Sequence, residues 1–277
     1  MKIDGTTRLF GIIGNPVSHS LSPVMHNAAF TAVGLNSVYL PFQVKNVEGA
    51  LGGLRHLNIG GVSVTIPHKE SVIPFLDSIN KVARKSGSGN TIHCKKEGDE
   101  TRLIGYNTDW IGANRALQGQ MELEGASVVI IGAGGSARAI GFGLIEAGAE
   151  ITLCSRTEKR GRDLAYDLQC DWFPLDGISQ LEGSALVNAT SVGMVPHGDK
   201  SPVAAEATAC FDVVMDIVYA PLQTLLLRDG KKNGCRVING LEMLLYQGVA
   251  QFELWTGLQA PVEEMRRALF SAVGASS

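Results

Sequence analysis

Three stretches of this 277-residue chain gather side chains capable of chemistry. Asn15-Pro16-Val17-Ser18-His19-Ser20-Leu21-Ser22-Pro23 crowds three hydroxyls and an imidazole between a strand-like run and a helical one. Ser22 before Pro23 has the form of a helix N-cap, which would account for one serine of the three. The loop as a whole suits a polyhydroxylated ligand. Pro67-His68-Lys69 follows the alternating run 61–66, and ligands of open α/β sheets bind beyond the carboxyl ends of strands. Lys69 is therefore a candidate for proton transfer, although a lysine at such a place also starts helices for solubility alone. Asn107-Thr108-Asp109 comes straight from a hairpin whose end returns to the same side, so Lys69 and Asp109 can reach one hydroxyl.

A second kind of chemistry is written at 127–147. Ser127-Val-Val-Ile-Ile131 has the charge-free, β-branched character of a strand buried on both faces of a parallel sheet, and the Ala-rich segment after it is helical. Between them lie Gly132-Ala133-Gly134-Gly135-Ser136-Ala137. Gly132 permits the tight turn, Gly134 lets backbone approach a pyrophosphate, and Ala137 is small where helix packs on strand. The helix start then offers N–H groups and a positive dipole end to phosphates. At the end of the next strand, where a carboxylate would hold the 2′-hydroxyl of NAD, stand Ser155, Arg156 and Thr157, with Arg160 one turn on. That set suits a 2′-phosphate through forked, charge-assisted hydrogen bonds, and the cofactor read from it is NADP; a solvated helix start with incidental arginines is the plainer alternative. Asn188-Ala-Thr190-Ser191-Val-Gly193-Met194 again follows a strand on the cofactor side.

The elements that must carry these groups alternate. Strands are expected over 8–14, 38–44 and 61–66, helices over 24–33, 47–57 and 71–85, and a hairpin over 91–106. Beyond the Gly-rich turn, helix 158–168 and strands 172–175, 185–190, 212–219 and 235–238 predict a parallel sheet with right-handed crossovers. Helices close the chain over 241–255 and 261–273. The expected fold class is α/β with two domains, a small α/β domain over the first hundred or so residues and a Rossmann-type doubly wound parallel sheet after it.

Composition narrows the partners. A net charge of −3 and a pI near 6.1 leave no basic footprint for nucleic acid or an anionic membrane. The polar amino terminus is no signal peptide, and no apolar run is long enough to span a bilayer, so a cytoplasmic protein is expected. Five scattered cysteines with no Cys-x-x-Cys pair suggest neither disulfide framework nor zinc site, and no metal site is expected among the histidines.

Taken together, the segments resemble the shikimate dehydrogenase family over nearly the whole chain. Asn15-Pro16 with His19-Ser20-Leu21-Ser22-Pro23 looks like its substrate-hydroxyl loop, and Val64-Thr65-Ile66-Pro67-His68-Lys69 like its catalytic strand end. Asn90-Thr91, Asn107-Thr108-Asp109, the Gly132 turn, Arg156-Thr157, 189–194, Asp216-Ile217-Val-Tyr219, and Gly240-Leu241 with Met243 and Gln247 complete the likeness. The resemblance implies that Ser20, Ser22, Thr65, Asn90, Tyr219 and Gln247 touch substrate, that Lys69 and Asp109 are catalytic, and that Ile217, Gly240 and Met243 join the cofactor residues. It implies that helices in 241–277 fold back onto 1–108 to complete a substrate-binding domain beside an NADP-binding Rossmann domain over 109–240, and that the activity is reversible NADPH-dependent reduction of 3-dehydroshikimate to shikimate, by a monomer or homodimer. A quinate/shikimate dehydrogenase of broader substrate and cofactor use is one alternative, and an idle NADP-binding sensor another, although both members of the acid/base pair are present. Four positions depart from the family: Ser63 stands where Asn is usual, Gly89 for Val, Ser155 for Asn and Asn239 for Asp. Ser63 and Gly89 are expected to bear on substrate affinity and on the aim of Asn90.

Overall fold

The computed structural model describes residues 3–274. The chain divides into two units, one running to Thr108 and resuming at Gln247, the other spanning Asp109–Tyr246. The sequence division at 240/241 falls six residues earlier, because the helix that crosses the boundary runs unbroken from Gly240 to Thr256.

In the first unit, β1 (Arg8–Gly14), α1 (Ser22–Ala32), β2 (Ser37–Gln43), α2 (Val47–His56) and β3 (Ile59–Val64) succeed one another. A 3₁₀ turn, the short β4 (Ser78–Ile79) and α3 (Lys81–Ser86) follow, then the hairpin β5 (Thr91–Glu97) and β6 (Glu100–Tyr106). The sheet order is β2-β1-β3-β5-β6-β4, with β1 parallel to both β2 and β3, and β5 antiparallel to both β3 and β6. Ile13, Val62, Val64, Ile92 and Leu103 pack with Leu51 and Leu54 of α2. Aromatic rings fill another cluster, where Phe10 lies 5.2 Å from Phe30 and 5.5 Å from Trp255 between centroids.

Two expectations fail here. The helix at 71–85 is broken into turn, strand and short helix. Pro74 withholds an amide, and Asp77 instead takes the Leu103 N–H at 2.7 Å and the Arg55 guanidinium at 2.7 Å, which draws Ser78 and Ile79 into pairing with β6. β3 stops at Val64, so Ile66 is 70% exposed and Thr65 belongs to the loop.

The second unit begins with α4 (Asp109–Gln118), β7 (Ser127–Ile131), α5 (Gly135–Glu146), β8 (Glu150–Ser155), α6 (Glu158–Leu168) and β9 (Asp171–Pro174). β10 (Gly183–Asn188), β11 (Phe211–Asp216), α7 (Leu225–Lys232), β12 (Arg236–Ile238) and the start of α8 (Gly240–Thr256) complete it. α9 (Val262–Ala272) returns to the first unit. All strands of this second sheet are parallel, ordered β12-β11-β10-β7-β8-β9. Alternation along β7 explains its charge-free sequence: Val128 and Ile130 enter one core with α4, α5 and α6, Val129 and Ile131 the core on the opposite face. Strand order reverses between β7 and β10, the switch point at which doubly wound sheets bind ligands.

Candidate active site

In the first unit the hydroxyl loop and the Lys69 turn are drawn together by backbone. Thr65 N–H bonds the Ile13 carbonyl at 3.0 Å, and Asn15 N–H the Ile66 carbonyl at 3.0 Å. Gly14 makes this approach possible, since a Cβ there would collide with the Thr65 methyl. Buried His68 anchors the turn through its Nε2, 2.8 Å from the Val44 carbonyl, and the Gly89 N–H bonds the Lys69 carbonyl at 2.8 Å. Half-buried Lys69 is thereby tied both to the end of β2 and to the loop that presents Asn90.

The serine loop differs from the capping reading. Leu21 is the N-cap of α1, and Ser22 is a helical residue whose N–H is accepted by Ser20 Oγ at 3.3 Å. The Ser22 side chain is buried and bonds the Tyr39 hydroxyl. Neither serine is the cap of α1, which has no side-chain cap bond.

Asn90 is 2% exposed and has a fixed polarity. Its Oδ1 accepts the Thr108 N–H at 2.7 Å and the Thr91 hydroxyl at 2.8 Å, while Nδ2 donates to Thr108 Oγ1 at 3.0 Å and Gln247 Oε1 at 3.3 Å. Gln247 arrives on α8, far away in sequence. Asn90, Gln247, Thr65, Ser20, Ser22 and Lys69 all belong to the first unit, whereas Asp109, the buried first residue of α4, and Tyr219 belong to the second. Burial raises the Tyr219 phenol above its ordinary range.

The second unit carries the dinucleotide features at its switch point. Gly132 has φ +128°, and a Cβ on it would press the Thr190 methyl at 3.1 Å and the Ala189 carbonyl at 3.3 Å, so the ends of β7 and β10 meet across a glycine. Gly134 has open space where a Cβ would stand. It is also the N-cap of α5 and supplies no side-chain acceptor, so the first-turn N–H groups remain available to an anion. Ala137 is fully buried, as close helix–strand packing requires. These residues fit a bound pyrophosphate.

Arg156, Thr157 and Arg160 are exposed at the join of β8 and α6. Ser155 is not with them: its hydroxyl turns inward, donating to the Thr157 carbonyl at 3.1 Å and accepting Trp172 Nε1–H at 2.9 Å. A cavity of about 730 Å³ opens beside Ser155 and Arg156, walled by Trp172, Ile178 and Val203, and its lining also includes Glu158, Asp176 and Glu206. Three carboxylates make that cavity itself a poor phosphate site.

Past β10, Thr190 is held by its hydroxyl bond to Asn188 Oδ1 at 2.7 Å, and Asn188 Nδ2 bonds Asp216 Oδ1 at 3.0 Å. Asp216 also accepts the Thr224 hydroxyl and the Val218 N–H, and burial lifts its carboxyl to about 6. This web shapes the loop bearing Ser191, Gly193 (φ +93°) and exposed Met194. A Cβ on Gly240 would strike the Ile217 carbonyl, which brings the start of α8 and buried Met243 against the end of β11. Among the described residues no cluster of His, Cys, Asp and Glu is arranged to hold a metal ion, and the five cysteines are free thiols.

A glycine turn at the switch point of a doubly wound sheet, in a chain that also folds a separate α/β unit, defines a two-domain dinucleotide-binding protein of the Rossmann class. The chain belongs to the shikimate dehydrogenase family. Residues 12–92 match the shikimate dehydrogenase substrate binding domain and residues 240–270 the shikimate 5'-dehydrogenase C-terminal domain. The shikimate dehydrogenase (NADP(+)) of Moorella thermoacetica is 44% identical, with 100% of this chain and 97% of that protein covered. That of Pyrococcus furiosus is 45% identical, with 96% of each covered. The crystal structure of shikimate 5-dehydrogenase from Thermus thermophilus in complex with NADP(H) and shikimate superposes with a TM-score of 0.87 at 36% identity, covering 96% of this chain and 99% of that one.

Sequence reasoning gave no role to Tyr39, Thr108 or Gln251, which surround the candidate residues, and read Ser63 only as a departure bearing on affinity. Gln251 had a legible signal: it stands four residues after Gln247 on one helix face.

Proposed function

We propose that the chain catalyses the reversible NADPH-dependent reduction of 3-dehydroshikimate to shikimate, a step of chorismate biosynthesis, in the cytoplasm and as a monomer or homodimer. The observation that carries this reading is the full-length likeness, 44–45% identity, to proteins bearing that activity in their names. The side-chain chemistry supports it. Oxidising a secondary alcohol removes a proton from oxygen and a hydride from carbon, and NADP, when bound, supplies the hydride acceptor. The protein must then hold the ring, move the proton and exclude water.

In this reading Lys69 and Asp109 form the acid/base pair at the reacting hydroxyl, with either one taking the proton. Ser20 and Ser22 bind the carboxylate. Thr65, Asn90, Tyr219 and Gln247 contact the remainder of the substrate, with Asn90 Nδ2 and Gln247 Oε1 exchanging their mutual bond for bonds to it. Gly132, Ala133, Gly134, Gly135, Ser136 and Ala137 cradle the pyrophosphate, and Arg156, Thr157 and Arg160 take the 2′-phosphate. Thr190, Ser191, Gly193, Met194, Ile217, Gly240 and Met243 flank the remainder of the cofactor, and Ser155 contributes backbone only.

The test is direct. Purified protein given shikimate and NADP should generate the near-ultraviolet absorbance of reduced nicotinamide. A protein that binds NADP and shikimate without forming it would be a sensor rather than an enzyme.

A further inference from the structure

A chain of hydrogen bonds runs through the interior of the first unit and ends at Asn90. The Tyr39 hydroxyl is 2.6 Å from Ser63 Oγ, and Ser63 Oγ is 2.8 Å from Gln251 Oε1. Gln251 Nε2 is 2.9 Å from Thr91 Oγ1 and 3.3 Å from the Asn90 carbonyl, and Thr91 Oγ1 is 2.8 Å from Asn90 Oδ1. Tyr39, Thr91 and Gln251 are fully buried and Ser63 is 4% exposed.

The direction of every link is forced. A carbonyl only accepts, so the amide face of Gln251 turned to Asn90 must be Nε2, and its Oε1 must face Ser63. Ser63 therefore donates to Gln251, and Tyr39 donates to Ser63. Asn90 Oδ1 only accepts, so across its 2.8 Å contact with Thr91 Oγ1 the Thr91 hydroxyl is the donor. His26 Nε2, 3.3 Å from Gln251 Oε1, is the remaining neighbour of this amide, so all of its polar capacity is used.

We infer that Gln251 is a positioning residue for substrate recognition, orienting Asn90 through Thr91 from inside the unit. Gln251 is too deeply buried to meet a ligand. Gln251 Nε2–H holds the Thr91 oxygen in place; without it, the Thr91 hydroxyl is free to turn toward Thr108 Oγ1, 3.3 Å away, and Asn90 Oδ1 loses one of its donors, keeping the Thr108 N–H at 2.7 Å and the Thr108 hydroxyl at 3.2 Å. Ser63, at the strand position where the family usually has Asn, spends its hydroxyl inside this chain. Any bearing of Ser63 on substrate affinity then runs indirectly, through Gln251.

The inference rests on the shikimate reading, and wild-type turnover of shikimate tests that reading first. Given an active wild type, Gln251→Leu, Thr91→Val and Thr91→Ser are compared by steady-state kinetics and thermal melting. Gln251→Leu and Thr91→Val should each raise KM for shikimate by about tenfold, the upper worth of one neutral buried hydrogen bond. KM for NADP and kcat should stay within about twofold, a margin set by the lost contact being a binding one. Thr91→Ser, which keeps the hydroxyl, should restore the wild-type KM. Should Gln251→Leu fail to fold, the Thr91 pair decides alone. An unchanged shikimate KM with a lowered melting temperature would overturn the inference, leaving Gln251 a core residue. Parallel losses for both ligands would overturn it equally, as general loosening.

Discussion

Arg156 is the residue on which the proposed choice of cofactor turns. It stands exposed at the end of β8, where a carboxylate would have selected NAD. Arg156→Ala should weaken NADP by about tenfold to a hundredfold, the worth of one charge-assisted hydrogen bond of roughly 1.5–3 kcal/mol, and leave NAD nearly unchanged. Equal losses for both nucleotides in a titration would remove Arg156 from the phosphate. At Lys69 the effect should fall on turnover. Lys69→Ala is expected to lower kcat by about 10²–10⁴-fold while shikimate affinity changes far less, since carboxylate and ring hydroxyls keep their partners. If Lys69 and Asp109 act as one unit, the double variant should lose much less than the product of the single losses. Retained turnover with lost affinity would make Lys69 an anchor. Residues such as these stand out in the sequence because the placement of polar groups at strand ends follows from sequence order. Gln251 was harder to read, since its role depends on strands β2, β3 and β5 meeting one helix.

Among the elements, the loop before β5 shows why a departure from the family pattern need not weaken a site. Gly89 is expected from sequence to loosen the aim of Asn90, yet its N–H is bonded to Lys69 and its φ is not positive. A Cβ there would meet Ile73 Cδ1 at 3.5 Å and the Tyr106 carbonyl at 3.5 Å, both ordinary contacts. Gly89→Ala should therefore raise stability by about 0.4–1 kcal/mol through the unfolded chain, read as a higher melting temperature with unchanged KM. A fall in stability would mean the loop needs conformations that alanine resists. Asn239 is explained similarly: its Oδ1 accepts the Leu241 N–H at 3.0 Å at the start of α8, a task that Asp and Asn perform alike. Strands and helices with strong periodicity, such as β7 and α6, were readable to within a residue. The segment 71–85 was not, because Asp77 answers to Arg55 and Leu103, partners no local pattern contains.

The two units should respond to acid in opposite directions. His26 is fully buried against Tyr39, 4.5 Å between ring centroids, and desolvation lowers its pKa from 6.5 to about 3. The unfolded chain thus binds its proton first, and the stability of the first unit, complete above pH 6.5, is lost as pH falls toward 3, by on the order of 5 kcal/mol. Asp216 in the second unit is raised from 3.8 to about 6, so folding there costs on the order of 3 kcal/mol more above pH 6 than below 3.8, and acid relieves it. Trp255, 5.4 Å from the His26 ring, and Trp172 in the second unit are separate reporters. Single-tryptophan variants should show Trp255 fluorescence changing at a higher pH than Trp172, and His26→Leu should move the Trp255 transition to lower pH. The reverse order would contradict the burial account. For the whole molecule the deciding measurement is kcat/KM for shikimate and quinate, each with NADP and NAD. The account predicts that shikimate with NADP exceeds every other combination. Comparable values for quinate, or for NAD, would contradict it and define an enzyme of broader substrate and cofactor use.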